Sequence, residues 1–183
     1  SDFYNPECQI LEMTSPFLGG DDPLFGRRTS LSLEDYFIME RLRSVRPDVD
    51  YDINILIGPG AVLASWESLL IYIDIPKNEI QFRSRAGTVS NLGTTVVSDP
   101  RKMYKGFYFV DWVVLNKHKK QTLPSVDLFI DGQRPEMPVW MEGTILRESL
   151  WHMSRNVFRV RPWFEPGAWG GTWIKNNIAG LNK

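Results

Sequence analysis

The segment that most constrains the fold is the apolar run at residues 69–75, which reads L-L-I-Y-I-D-I. A nearly continuous apolar run of this length is typical of a strand buried on both faces of a parallel sheet. Residues 52–57, D-I-N-I-L-I, predict an earlier strand, and the turn Gly58-Pro59-Gly60 follows it directly. The sequence therefore predicts two strands joined by a short crossover at residues 61–66.

A helix is predicted after the second strand. Pro76 suits the first turn of a helix, and Glu79, Arg83 and Arg85 follow it. Two strands, a short crossover and a helix together predict an α/β fold with a mainly parallel sheet.

Further elements continue this pattern. Residues 126–130, V-D-L-F-I, predict a third strand, closed by Asp131 and Gly132. Residues 104–120 fit a strand or a helix in their apolar half, and their length and cationic end favour a helix. Short helices are also predicted at residues 7–14, after Ser32 with Asp35 as a capping box, and at residues 142–153 with one buried face.

Composition excludes several classes of protein. Apolar residues make up 43% and charged residues 23% of the 183, and no apolar run approaches the roughly 18 residues of a membrane span. A single cysteine, Cys8, excludes an internal disulfide and indicates a reducing, cytoplasmic compartment. The net charge of −1, without a basic patch, argues against nucleic acid as a partner.

The residue pattern predicts no catalytic or metal-binding residue. His118 and His152 lie on different predicted helices, and neither has a second histidine at ligand spacing. A nucleophile elbow for Ser-His-Asp catalysis is not recognisable.

Four residues are candidates for binding phosphate. Gly58 and Gly60 follow a predicted parallel strand at its carboxyl end, where open α/β sheets place ligands. Arg83 and Arg85 occupy the next helix, where a kinase keeps cations for phosphoryl transfer. The alternatives are a tight structural turn and a solvated helix face, because the G-x-x-x-x-G-K-[ST] pattern is absent from the sequence.

Residues 159–175, R-V-R-P-W-F-E-P-G-A-W-G-G-T-W-I-K, combine three tryptophans with three glycines and two prolines. Residues 176–183, which follow this segment, are too few to build a core. We therefore expect a domain at residues 1–156 and the truncated opening segment of a second module at residues 157–183.

The order of elements is similar to the back half of uridine-kinase-like P-loop kinases, with V-D-L-F-I-D-G at Val126 as their last strand. This resemblance implies an incomplete three-layer P-loop-kinase-like fold. The first strand of those kinases and its phosphate loop are absent from the sequence.

A second resemblance covers roughly residues 16–183. Its segments are G-P-G-A at Gly58, Y-I-D-I-P-K-N-E-I-Q-F-R at Tyr72, S-N-L-G at Ser90, Y-K-G-F-Y-F-V-D-W at Tyr104 and F-R-V-R-P-W-F-E-P-G-A-W-G-G-T-W-I-K at Phe158. They resemble bacterial class I mannose-6-phosphate isomerases that carry an N-terminal kinase-like region, and the last resembles the start of their cupin-type module.

This resemblance implies that the full-length protein interconverts mannose 6-phosphate and fructose 6-phosphate with zinc bound downstream of W-G-G. The present chain would be inactive, without a cofactor of its own, and would pack on the isomerase module. Two alternatives stay open, namely a nucleoside or sugar kinase relative that binds a nucleotide or sugar phosphate, and a non-catalytic docking or regulatory module.

Overall fold

The structure, a computed structural model, describes residues 3–22 and 24–157. The chain divides into two compact units, Ser1–Arg147 and Glu148–Lys183. The predicted second module falls almost entirely outside the described residues, which include only Val157 of it. The helices are α1 (Glu7–Thr14), α2 (Met39–Ser44), α3 (Lys77–Arg85), α4 (Pro100–Gly106), α5 (Trp112–Thr122) and α6 (Gly143–Arg155), and the strands are β1 (Ile71–Asp74), β2 (Leu128–Asp131) and β3 (Val139–Glu142).

The three strands form one small mixed sheet in the order β1-β2-β3. β1 and β2 are parallel, with Ile71 opposite Leu128, and β2 and β3 are antiparallel. The α/β class is confirmed, as are the strands predicted at residues 69–75 and 126–130. The prediction of a mainly parallel sheet is not met, because one of its two strand pairs is antiparallel.

The two faces of the sheet have different surroundings. On one face the rings of Tyr72 and Phe129 stack with centroids 5.7 Å apart, and the Lys119 ammonium of α5 lies 5.2 Å from the Phe129 centroid. On the other face Ile71 and Ile73 remain 46% and 60% exposed. The prediction that this strand is buried on both faces is therefore wrong.

The prediction of a strand at residues 52–57 is also wrong. This segment has no regular structure, and its three isoleucines are exposed. The Asn54 side chain accepts a hydrogen bond from Asp48 N at 2.8 Å and donates one to Asp48 O at 2.9 Å. Local bonds between a side chain and the backbone compete with a strand ladder and hold this segment as a loop.

The main core lies among helices and helical turns between α1 and α5. Its buried residues come from α1, α2, the 3₁₀ turn Leu33–Tyr36, the 3₁₀ turn Ala61–Ala64 and the helical region after Gly106. The predicted capping box is confirmed, because Ser32 N donates to Asp35 Oδ2 at 2.7 Å and the Ser32 side chain accepts in return. It begins a 3₁₀ turn, and α2 starts separately at Met39.

The long helix predicted at residues 104–120 is confirmed as α4, the π-helical turn Phe107–Asp111 and α5. β3 was not predicted, since no element is predicted between the strand at residues 126–130 and the last helix at residues 142–153. That helix exists as α6, but its predicted buried face is wrong. Ile145, Leu150 and Met153 are 51%, 43% and 56% exposed.

Within the second unit, most of the described residues form the later part of α6, which ends at Arg155. The Arg155 guanidinium lies 4.2 Å from the centroid of the Trp151 ring, one turn earlier on the same helix. Such i,i+4 contacts stabilise a helix locally.

Candidate binding site around Asp111

The two glycines predicted to bind phosphate lie in the turn before Ala61–Ala64. Gly58 is exposed with φ +143°, and a Cβ at Gly58 would have open space around it. Gly60 is buried, and a Cβ there would lie 2.5 Å from the Phe37 ring. Gly60 therefore permits close packing on a core aromatic residue. Because residues 52–57 are not a strand, the turn does not stand at the carboxyl end of one.

The two predicted arginines lie at the end of α3. Arg83 Nε donates a hydrogen bond to Glu79 Oε1 at 2.9 Å, and Arg83 Nη2 donates one to Gly132 O at 3.0 Å. This guanidinium thus joins α3 to the end of β2, while Arg85 is exposed. The contacts of Arg83 and of Gly60 involve different parts of the fold, so a shared phosphate site stays a prediction.

The chemically most unusual side chain of the described residues was not predicted. Asp111 is only 5% exposed and is the last residue of the π-helical turn between α4 and α5. Single π-helical turns inside α-helices occur often at functional sites, because the extra residue redirects a side chain. Asp111 points its carboxylate at the polar connection that precedes α4.

That connection supplies two hydrogen bonds to one carboxylate oxygen. Asn91 Nδ2 donates to Asp111 Oδ2 at 2.7 Å, and Leu92 N donates to the same oxygen at 3.2 Å. Asn91 Nδ2 also donates to Met103 O at 3.1 Å. The loop is closed on itself, since Thr94 Oγ1 donates to Asn91 O at 2.9 Å. The amide is therefore fixed in position from both sides.

Glycines create the space for this arrangement. A Cβ at Gly106 would lie 2.5 Å from Asn91 Nδ2, so only glycine lets the amide approach α4. Gly93 has φ +73°, a backbone conformation that favours glycine, and turns the loop back after Leu92.

Burial raises the pKa of the Asp111 carboxyl, and the hydrogen bonds from Asn91 and Leu92 oppose this rise. The same carboxylate lies close enough to two tyrosines to affect them. Burial, followed by the charge of Asp111, raises the pKa of both Tyr36 and Tyr4. Among the described residues, the Tyr36 hydroxyl is the buried side-chain polar atom without a hydrogen-bond partner.

A cavity of about 380 Å³ opens beside Asp111 and Asn91. This volume is within the range of small-molecule sites, roughly 300–1,000 Å³. The rest of its lining comes from α1, the turn after α1, the connection before α4, α4 and the π-helical turn. These residues are Glu7, Ile10, Leu11, Thr14, Leu18, Leu92, Thr94, Val96, Ser98, Lys102, Gly106 and Val110.

The sequence contains a signal for this site. Asp111 interrupts the apolar run F-Y-F-V-D-W, and a carboxylate within a predicted buried helix needs a partner. The partner Asn91 lies 20 residues earlier, in a segment whose polar composition indicates only a loop. Periodicity does not pair residues across such a distance.

His118 is not among the residues that line the cavity. His118 is buried on α5, with Nε2 3.5 Å from Thr122 Oγ1, and desolvation lowers its pKa. Over residues 3–22 and 24–157, no three His, Cys, Asp or Glu side chains form a group that could hold a metal ion. The helices within these ranges include none that is long and apolar enough to cross a membrane.

The fold and site define a small mixed α/β domain with a buried carboxylate beside a cavity. Residues 1–155 match a family described as a domain of unknown function (DUF8485), and the chain belongs to that family. No curated protein and no solved structure gives a significant match to the chain.

Proposed function

We propose that this chain is the N-terminal, kinase-like region of a cytoplasmic, mannose-6-phosphate isomerase-like protein of sugar-phosphate metabolism. In this proposal a zinc-binding isomerase module follows Lys183 and interconverts mannose 6-phosphate and fructose 6-phosphate. The region described by the structure is a non-catalytic binding module that packs on it.

The observation that carries the proposal is the contact between two of the segments that resemble the isomerases. S-N-L-G supplies Asn91 and Leu92, and Y-K-G-F-Y-F-V-D-W supplies Gly106 and Asp111, and these four residues meet at one buried carboxylate. A resemblance confined to unrelated surface segments would have no reason to converge on one network. The convergence supports an ordered module with its own centre.

Two further observations support a boundary and a partner. The family match covers residues 1–155, so the Trp-rich segment at residues 159–175 lies beyond it. In the sheet, register places Ile73, Ile130 and Trp140 side by side, and Ile73 and Trp140 are 60% and 62% exposed. Exposed apolar patches on an otherwise polar surface mark interaction sites, and we assign this face to the downstream module.

The finer fold proposal is an incomplete P-loop-kinase-like fold. It is supported by the parallel pair β1 and β2 and by α3, which directly follows β1. The segment at residues 52–57 does not supply the further strand that this fold would use.

The proposed function is tested on the natural gene product purified from its own cells. We expect it to convert mannose 6-phosphate to fructose 6-phosphate, to lose this activity on treatment with a chelator, and to regain it with added zinc. The 183-residue chain serves as the control and is expected to show no turnover. A natural product that is inactive with saturating zinc contradicts the proposal.

A further inference from the structure

At the cavity beside Asp111, the side chains of Asp111 and Asn91 leave acceptor atoms unused but no donor. Both hydrogen bonds to Asp111 go to Oδ2, and both bonds that Asn91 Nδ2 donates are internal. Within the described part of the chain, Asp111 Oδ1 and Asn91 Oδ1 receive no hydrogen bond. The polar end of the cavity therefore offers acceptors and has no amide donor left.

The charges around the cavity point in the same direction. Glu7 and Asp111 bring two carboxylates, and Lys102 brings one ammonium. Glu7 Oε2 accepts a hydrogen bond from Thr95 Oγ1 at 2.9 Å, which holds this carboxylate at the cavity. A cation placed near Asp111 would offset the cost of keeping a carboxylate away from water, whereas an anion would add to it.

Much of the remaining lining of the cavity is apolar. Ile10 and Val110 are 1% exposed and belong to the core, and Leu11, Leu18 and Val96 complete this apolar lining. Apolar walls with a few convergent polar atoms are the usual composition of a small-molecule site.

We propose that this cavity binds a small organic cation, an amine with an apolar body, whose N–H groups donate to Asp111 and Asn91. The apolar body lies against the α1 side of the cavity. This site does not depend on the proposed isomerase module, because every lining residue lies between Glu7 and Asp111.

The test is thermal unfolding of the 183-residue chain with matched pairs of probes. The amines are benzylamine, 2-phenylethylamine and tryptamine, and their controls are benzyl alcohol, 2-phenylethanol and tryptophol. A ligand that binds only the folded state raises Tm as its concentration rises. We expect at least one amine to raise Tm by about 5 °C near saturation, and its alcohol to have no effect.

Substitutions test whether the amine binds in the cavity beside Asp111. Asp111→Asn removes the charge with little change in shape and is expected to abolish the shift, while Asp50→Asn, at an exposed aspartate, is expected to keep it. If Asp111→Asn does not fold, Leu11→Trp fills the cavity from a side chain that is 53% exposed. Its control is Leu69→Trp, at a leucine that is 68% exposed and outside the cavity.

Any one of the following results with the amines would overturn the inference. They are no shift with any of the amines, equal shifts with the matched alcohols, or an amine shift that survives Leu11→Trp. A shift with mannose 6-phosphate or ATP in place of the amines would also overturn it, and would favour the phosphate-binding alternative instead.

Discussion

At the residue scale, the network depends on the missing side chain of Gly106. In a helix, alanine is more favourable than glycine by about 1 kcal/mol. At this position, however, the added methyl would lie only 2.5 Å from Asn91 Nδ2 and would push the amide away. A lost hydrogen bond to a charged group costs about 1.5–3 kcal/mol, so the displacement outweighs the gain in helix propensity.

A double-mutant cycle tests this reasoning. We expect Gly106→Ala to lower the free energy of unfolding by about 1–2 kcal/mol. In the Asn91→Ala background the methyl has room, and the same change should stabilise by about 0.5–1 kcal/mol. Urea unfolding of the four proteins gives the coupling, and additive effects would show that Asn91 and Gly106 do not interact.

The pH dependence of stability tests the burial of Asp111. Its pKa is raised above the ordinary 3.8, so the folded state holds its proton more tightly than the unfolded state. The stabilisation from this proton is complete below about pH 3.8 and is lost as pH rises through the folded pKa. Wild type should therefore gain stability relative to Asp111→Asn as pH falls from 7 towards 4.

The measurement is urea unfolding of both proteins across this range. The lowered pKa of His118 acts in the opposite sense, removing stability as pH falls below its ordinary 6.5. His118 is present in both proteins, so its contribution cancels in their difference. A difference that stays constant with pH would contradict the assignment to Asp111.

At the scale of elements, Lys119 joins α5 to the sheet. Its Nζ lies 2.7 Å from Asp74 Oδ2 and 5.8 Å and 5.2 Å from the centroids of Tyr72 and Phe129. The Lys119 and Asp74 side chains are 31% and 35% exposed, so water and salt screen part of this attraction.

We expect Lys119→Met to destabilise the fold by about 1 kcal/mol, because the cation is lost while most of the apolar stem remains. Lys120→Met, at the exposed neighbouring lysine, should change stability by less than about 0.5 kcal/mol. Chemical denaturation compares the two variants with wild type. Equal effects of both substitutions would indicate that the contact with the sheet contributes nothing.

The elements also differ in how far the sequence predicted them. Residues 104–120 and 126–130 were predicted correctly, because long periodicity and a bounded apolar run are local signals. Residues 52–57 have equally clear alternation, but their state depends on the bonds of Asn54 to Asp48. β3 was missed because all four of its residues are exposed, so they show no alternation of buried and exposed positions. Its strand state comes from pairing with β2, which the local sequence does not reveal.

The site was predictable only in part, because it too depends on contacts between segments that are distant in the sequence. Glycine and arginine positions drew attention to Gly60 and Arg83, whose contacts are with Phe37, Glu79 and Gly132. Asp111 becomes notable only when its burial and its contact with Asn91 are known. Tertiary contacts decide which polar residues lose water, and no local pattern encodes them.

At the scale of the whole molecule, we propose that this chain is one region of a longer isomerase-like protein. The exposed apolar face of the sheet and the Trp-rich segment at residues 159–175 both acquire a role in that setting. The cation proposed for the cavity beside Asp111 is a ligand of this region itself and is separate from the isomerase substrate.

The most direct test of the proposed longer protein is the intact mass of the natural gene product, measured by mass spectrometry on protein from its own cells. We predict a mass well above the 21.1 kDa of this chain, by the size of at least one further domain. A natural product of about 21 kDa would contradict it.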